Sequence, residues 1–571
     1  MFNYDKGAGG ILSENNASAS PGVGDLSDEQ PEVYGTEGEY VASNVDGLQR
    51  HLGMRQVSMI AVGGSIGTAL FVSISSGLMA GGPGSLFIAF TAYSAILGLV
   101  NNCMAEMAVF MPVSGSFIRF AGKWVDEAFG FMAGWNFFLY EACMIPYEVS
   151  ALILVLQYWS DNIPAWAVVI VCIVLYGLIN VFAVKYYGET EFWLSSGKFV
   201  LLLMLFCFTF VTMVGGNPQH DAYGFRYWRD PGSFAEYITT GALGRFEGFL
   251  GALWSAAFTV VGPEYIAMVA GETERPRILL KQAFKTMYWR FGFFYIIGAL
   301  CVGIILPYNN PVLIENAGGN TASASPYVIA MQNMGIRVLP DLTNALMVTS
   351  IFSAGNAYVY CGMRSLYGLA LEGQAPAVLK TCSRSGIPYY CFIITMCFTL
   401  LSLLAISNSS AQVVSWLSSL TEASQLIDYI IICFTYIFFY RACLAQGIDR
   451  GTLPYTGWGQ PYCAYIGLAF EIAVLGCYGY ATFLPGQWDI GTFFSYYAMI
   501  FFDIITYGVW KLWKRTSVIK SSEADLVWDR PVIDAYEASF KHPPASFSAE
   551  VLHMLRIRKK PNYDHEMPDH S

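Results

Sequence analysis

The sequence predicts an all-α polytopic membrane protein of twelve transmembrane helices, and three observations carry that expectation. Hydrophobic residues make up 55% of the chain and charged residues only 13%, against roughly a quarter charged in ordinary soluble domains. Residues 57–105 run for forty-nine positions without a Lys, Arg, Asp or Glu, and about 20 apolar helical residues cross a hydrocarbon core. Comparable apolar runs recur as far as about residue 512. Together they place spans at about 57–79, 85–109, 129–159, 164–184, 190–214, 249–271, 291–307, 343–370, 389–406, 412–440, 463–484 and 490–512, with ends good to a few residues.

Residues 1–50 are rich in Gly, Ser, Asn and Glu and carry almost no periodic apolar content. That composition cannot bury a core and reads as a disordered tail. Residues 51–515 hold the helix bundle, and residues 516–571 form a second tail. An even number of spans puts both tails on one side. With the tails inside, the internal loops hold thirteen Lys and Arg residues and the external loops four (Arg226, Arg229, Arg245, Arg337). Both termini are therefore expected in the cytoplasm.

The long uncharged run contains two crossings joined by Gly81-Gly82-Pro83-Gly84. Its first crossing holds Gly63-Gly64-Ser65-Ile66-Gly67-Thr68 where it should be most apolar. Three glycines in five residues weaken a helix. Unwound backbone at membrane depth is tolerated only where it lines a cavity or is buried in protein. Close helix packing is the alternative use of such glycines. The sixth span is interrupted at Gly262-Pro263, five helices after the first interruption. Corresponding interruptions in two halves of a chain point to a substrate site.

Ionisable groups at membrane depth are costly, and their default reading is functional. Span three carries Glu141 and Glu148 on either side of Pro146, span five carries Lys198, span six Glu264, and span ten Glu422 and Asp428. Glu106 and Glu272, near span ends, read as ion-paired groups. Lys198 is the one base placed well inside a span, with Arg290 assigned to a loop. A lysine withdrawn from water can bind and release a proton, so Lys198, with Glu148, is the candidate for proton coupling.

Several function classes are excluded. The thirteen cysteines form no CxxC pair and no Cys/His cluster of metal spacing, so no metal or other cofactor is expected. No HExxH, Ser/His/Asp grouping or phosphate-binding loop is present, which argues against an enzyme. The basic patches are too small for nucleic acid.

At these residues the chain resembles the fungal amino-acid permeases of the amino acid–polyamine–organocation superfamily, from about residue 50 to 515. The matching stretches are Gly63-Gly64-Ser65-Ile66-Gly67-Thr68, Ala105-Glu106-Met107-Ala108 with Pro112 and Gly115, and Pro146-Tyr147-Glu148. Further matches are Glu191-Phe192-Trp193 with Lys198, Ser353 and Asn356, Arg364 to Ala370, and Gly373-Gln374-Ala375-Pro376. Tyr227 to Gly232 and Ala445 to Asp449 look most like the dicarboxylic amino-acid permeases within the family. Ala69 departs from the family's terminal glycine. Val260 stands where the family has a second aromatic, and Pro263 fills the variable position before Glu264.

The resemblance implies two inverted five-helix repeats (a LeuT-like fold) plus two helices, and proton-driven uptake at the plasma membrane by alternating access. It implies a substrate held between spans one and six. The free N–H groups near Ser65, Gly67 and Thr68 would receive an α-carboxylate. The carbonyls around Phe258, Thr259 and Val260, or the Glu264 carboxylate, would receive the α-ammonium, with Gly64 and Gly262 also counted as substrate-binding. The substrate side chain stays open: the acid surplus suits a neutral or cationic amine, including carnitine or a polyamine, at least as well as an acidic one. A non-transporting nutrient sensor of the same fold is the alternative from another class. Lys6 and the surrounding Ser and Thr residues would offer sites to ubiquitin ligases and trafficking adaptors. The sequon Asn408-Ser409-Ser410 sits in a turn too short for glycosylation.

Overall fold

A computed structural model describes residues 50–540 except 51, 161, 183, 318–324, 384–385 and 407–409. Lys6, the sequon at 408 and most of both tails lie outside the described residues. The described residues belong to one compact unit that begins at Ala42. They are helical, apart from turns and a single bridge between Leu52 and Thr273.

In chain order the principal helices are α1 (Met54–Ser65), α2 (Ala69–Phe110), α3 (Glu127–Leu156), α4 (Ala165–Gly177) and α5 (Gly188–Met213). Next come α6 (Gly241–Thr259), α7 (Pro263–Met268), α8 (Pro276–Ile305) and α9 (Leu339–Leu371). The remainder are α10 (Tyr389–Ile406), α11 (Gln412–Ala445), α12 (Tyr462–Phe483), α13 (Ile490–Lys514) and α14 (Arg530–Ala538). Among the described residues nine helical stretches are long and apolar enough to cross a membrane. The chain is therefore a multi-pass membrane protein.

Local chemistry sets the boundaries. Asp126 caps α3 by accepting from Ala128 N at 3.2 Å, and Asp489 caps α13 by accepting from Thr492 N at 2.8 Å. At 42 residues α2 would be about 63 Å long, twice a hydrocarbon core. It is kinked at Gly82, whose φ of 75° is open to glycine, followed by Pro83. A segment from the loop before α6 covers this kink: Gly84 N donates to Ser233 O at 2.7 Å and Ala235 N to Gly81 O at 3.0 Å.

The bundle's centre is built from α1, α3, α7, α9 and α11. α3 packs along both α9 and α11, and α1 lies against α5, α7 and α9. α3 is 89% buried over its apolar window and α13 only 11%, so α3 is central and α13 peripheral. Residues 516–540 fold back onto the bundle: Trp124 Nε1 donates to Asp525 O at 2.9 Å, and Arg277 pairs with Asp534.

Candidate functional site

Two helix interruptions face each other at the centre of the bundle. α1 stops at Ser65; Ile66 is extended, with φ −122° and ψ 100°, and helix resumes at Thr68. α6 stops at Thr259, residues 260–262 are irregular, and α7 begins at Pro263. Gly262 has φ 149°, a conformation essentially reserved for glycine. Pro263 suits the first helical position, where no N–H is needed. A Cβ placed on Gly262 would lie 3.9 Å from Ser65 Cβ. One hydroxyl spans both gaps: that of Tyr295, from α8, lies 2.9 Å from Ser65 O and 3.2 Å from Val261 O, so its single O–H can donate to either or be shared between them.

The first interruption falls later than the glycine pair suggests. Gly63 and Gly64 are helical, and the break lies at Ile66-Gly67. The glycines serve close approach. A Cβ on Gly63 would meet Glu191 Oε1 at 2.0 Å, one on Gly64 the Tyr265 ring at 2.7 Å, and one on Gly67 Glu148 Oε1 at 2.3 Å. Close packing and unwinding are both present, on adjacent residues.

Breaking a helix orphans the carbonyls of the upstream half and the N–H groups of the downstream half. Buried side chains satisfy both. Lys198 Nζ donates to Gly63 O at 2.5 Å and Ile66 O at 2.7 Å, placing a cation at the negative end of α1. Tyr358 OH donates to Gly64 O at 3.2 Å. At the start of the next half, Glu148 accepts from Thr68 N at 3.2 Å and from Thr68 Oγ1 at 2.5 Å. The expectation of a free N–H at Thr68 is corrected: Glu148 holds it, because a buried carboxylate takes the nearest helix N-terminus.

Glu264 behaves in the same way at the second break. Its carboxylate accepts from Gly262 N at 3.2 Å and from Tyr429 OH at 3.1 Å, capping α7 instead of standing free for an ammonium group. Upstream, Gln425 Nε2 donates to Ala257 O at 2.7 Å. Among the described residues no donor reaches the carbonyls of Phe258, Thr259 or Val260. Phe258 packs edge-on against Tyr147, with ring centroids 5.3 Å apart. The structure thus gathers Gly64, Ser65, Gly67, Thr68, Glu148 and Lys198 at one break and Phe258, Thr259, Val260, Gly262 and Glu264 at the other.

Sequence reasoning gave no site role to Glu191, Arg290, Glu471 or Asp503. Glu191 is buried beside Gly63 and accepts from Ser195 Oγ at 3.0 Å and Ser353 Oγ at 2.6 Å. It stands seven residues before Lys198, two helical turns, and that spacing was the available signal. Arg290, expected in a loop, lies inside α8, is buried, and donates to Ser58 O at 2.9 Å. Glu471 and Asp503 add buried acids on α12 and α13. Glu106 and Glu272 are ion-paired, with Arg450 at 2.8 Å and Arg364 at 2.9 Å. No group of His, Cys, Asp or Glu among the described residues could hold a metal ion.

A bundle of apolar helices with two apposed breaks at its buried centre defines a class: a membrane transporter, and not an enzyme. The chain belongs to the amino acid permease family, which it matches over residues 56–522. It is 45% identical over 476 residues to the general amino acid permease AGP2 of Saccharomyces cerevisiae, covering 82% of this chain and 80% of that one. It is 35% identical over 542 residues to the dicarboxylic amino acid permease of the same yeast (94% and 88% covered) and 36% identical over 494 residues to a proline-specific permease of Emericella nidulans (85% and 89% covered). Among solved structures, a manganese transporter of Eremococcus coleocola shares the fold, with a TM-score of 0.51 at 11% identity, over 85% of this chain and 95% of that one.

Proposed function

We propose that this amino acid permease is a proton-coupled importer of the plasma membrane, with twelve spans arranged as two inverted five-helix repeats plus two. It works by alternating access, and its substrate binds between the breaks at Ile66-Gly67 and 260–262. The observation that carries this reading is the Tyr295 hydroxyl, which ties the two interruptions into one locus. Among the described residues no donor reaches the carbonyls of Phe258, Thr259 and Val260, and they suit a substrate ammonium.

The coupling follows from what occupies the first break. Glu148 sits where a substrate α-carboxylate would bind, on the Thr68 N–H and hydroxyl. A proton arriving on Glu148 removes its charge and loosens that hold, opening the helix N-terminus to the substrate's carboxylate. Lys198 keeps the upstream carbonyls engaged meanwhile, so the broken backbone is not left bare. Proton and substrate thereby enter together, with no metal or other cofactor.

For the substrate side chain, the buried acids Glu264, Glu422, Asp428, Glu471 and Asp503 outnumber Lys198 and Arg290. This favours a neutral amino acid or a cationic amine over an acidic one. The higher identity to the general permease than to the dicarboxylic one agrees with that preference. The test is labelled uptake into a permease-deficient yeast, competed by acidic, neutral and basic amino acids, carnitine and spermidine, with and without a protonophore. Signalling without accumulation would instead identify a sensor.

A further inference from the structure

Glu141 is placed as if to hold something, and no role so far uses it. It lies midway along α3 and is fully buried. Neither carboxyl oxygen has a hydrogen-bond partner among the described residues. The packing around it is tight: a Cβ on Gly362 of α9 would come 3.5 Å from Glu141 Cβ and 3.1 Å from Thr395 Cγ2 of α10. The ionisable groups around it are Tyr140 on α3, Glu264 and Tyr265 on α7, Tyr358 and Cys361 on α9, and Asp428 on α11. None of these is a base.

An ionised carboxylate without donor or cation in such a place would be very costly. A bound proton removes that cost without needing a partner group. A polar chain begins at the neighbouring Tyr140. Tyr140 OH stands 3.5 Å from both Tyr265 OH and Gln425 Oε1. Gln425 Nε2 lies 3.4 Å from Tyr429 OH, which donates to Glu264 at 3.1 Å. These groups connect the neighbourhood of Glu141 to the break between α6 and α7.

We propose that Glu141 is a second exchangeable-proton site of the transport cycle, distinct from Glu148 and Lys198 at the first break. It holds a proton while the bundle is sealed around it and releases it when rearrangement at the second break admits water. The carboxyl O–H bond breaks and the proton passes directly to the admitted water, leaving the carboxylate hydrated.

This rests on the proton-coupled reading above, and the test separates the two. Purified protein in lipid nanodiscs is subjected to a pH jump, and the infrared difference spectrum is recorded in the region of the carboxylic acid C=O stretch. Wild type should show a band that Glu141→Gln removes and Glu141→Asp shifts. In vesicles carrying an imposed proton gradient, Glu141→Gln should lower uphill accumulation by about a hundredfold, the low end for loss of a proton-transfer group. Labelled proline, lysine and carnitine serve as probes. Counterflow of the same labels, which needs no net proton movement, should stay near wild type. A band that persists in Glu141→Gln overturns the proposal. So does loss of counterflow together with accumulation, because that marks a packing role. Wild-type uptake indifferent to a protonophore would remove proton coupling itself, while the infrared arm still decides whether Glu141 exchanges a proton.

Discussion

Gly262→Ala isolates the second break. At φ 149° an alanine backbone is strained by about 1–3 kcal/mol. The added methyl also meets Met287 Cε at 2.2 Å, well inside the roughly 3.5–4.0 Å of carbon contact. Met287 can swing aside, since the colliding atom ends a flexible thioether chain, at a rotamer cost of order 0.5–1.5 kcal/mol. The two terms sum to roughly 1.5–4.5 kcal/mol against the broken geometry, or about tenfold to two-thousandfold in its population. Labelled uptake, corrected for surface protein, should fall accordingly. Gly262→Ala combined with Met287→Ala should recover only the steric share, leaving uptake at least about fivefold down because the backbone term persists. Uptake within a factor of two of wild type in Gly262→Ala would refute the reasoning, for it would mean that the break does not need that backbone conformation.

Other consequences are open to test. Lys198→Met strips the donor from Gly63 O, a loss of about 1–3 kcal/mol for that orphaned carbonyl, and leaves Ile66 O only the Ser350 hydroxyl at 3.4 Å; uphill accumulation should vanish, and retained accumulation with an unaltered pH profile would remove Lys198 from the mechanism. Glu148→Gln keeps an acceptor for Thr68 but no exchangeable carboxyl proton, so counterflow should persist while the pH dependence of uptake flattens; an unchanged pH profile would argue against Glu148 as a carrier. Arg450→Met leaves Glu106 buried without its cation, which typically costs about 3–5 kcal/mol, so folded protein recovered from the membrane should drop while the substrate preference of the remainder stays the same. Asp221 is exposed, and its hydrogen bonds with Arg226 hold its carboxyl below the usual range. A depressed carboxylate contributes above its unfolded value and loses that contribution only as pH falls through the folded one, so Asp221→Asn should leave the uptake profile between about pH 5 and 7 unchanged.

Much of the bundle could be read directly from the chain because lipid leaves few options. Long uncharged runs must be helical, and Gly82-Pro83 must interrupt a stretch too long for one crossing. The second break was visible too, since glycine at positive φ followed by proline at the first helical position is a local signature. The first break was displaced because glycine has two uses. Gly63 and Gly64 admit Glu191 and Tyr265, and which glycine unwinds depends on partners distant in sequence. Pairing was hidden for the same reason. Whether Glu148 or Glu264 is free depends on which N–H each reaches, and nothing distinguishes Tyr295, Tyr358 or Tyr429 among 36 tyrosines. Arg290 was misplaced because a base beside an apolar run looks like a loop until the helix is seen to continue through it.

The central claim is that the two interruptions form one substrate site. The most direct measurement is a side-chain-resolution cryo-electron microscopy map of the full chain in nanodiscs, with the best competitor from the uptake panel bound. The account predicts ligand density between Ile66-Gly67 and residues 260–262, with its carboxylate at Thr68 N and Glu148 displaced. Ligand density elsewhere, or helices continuous through residues 66 and 262, would contradict it.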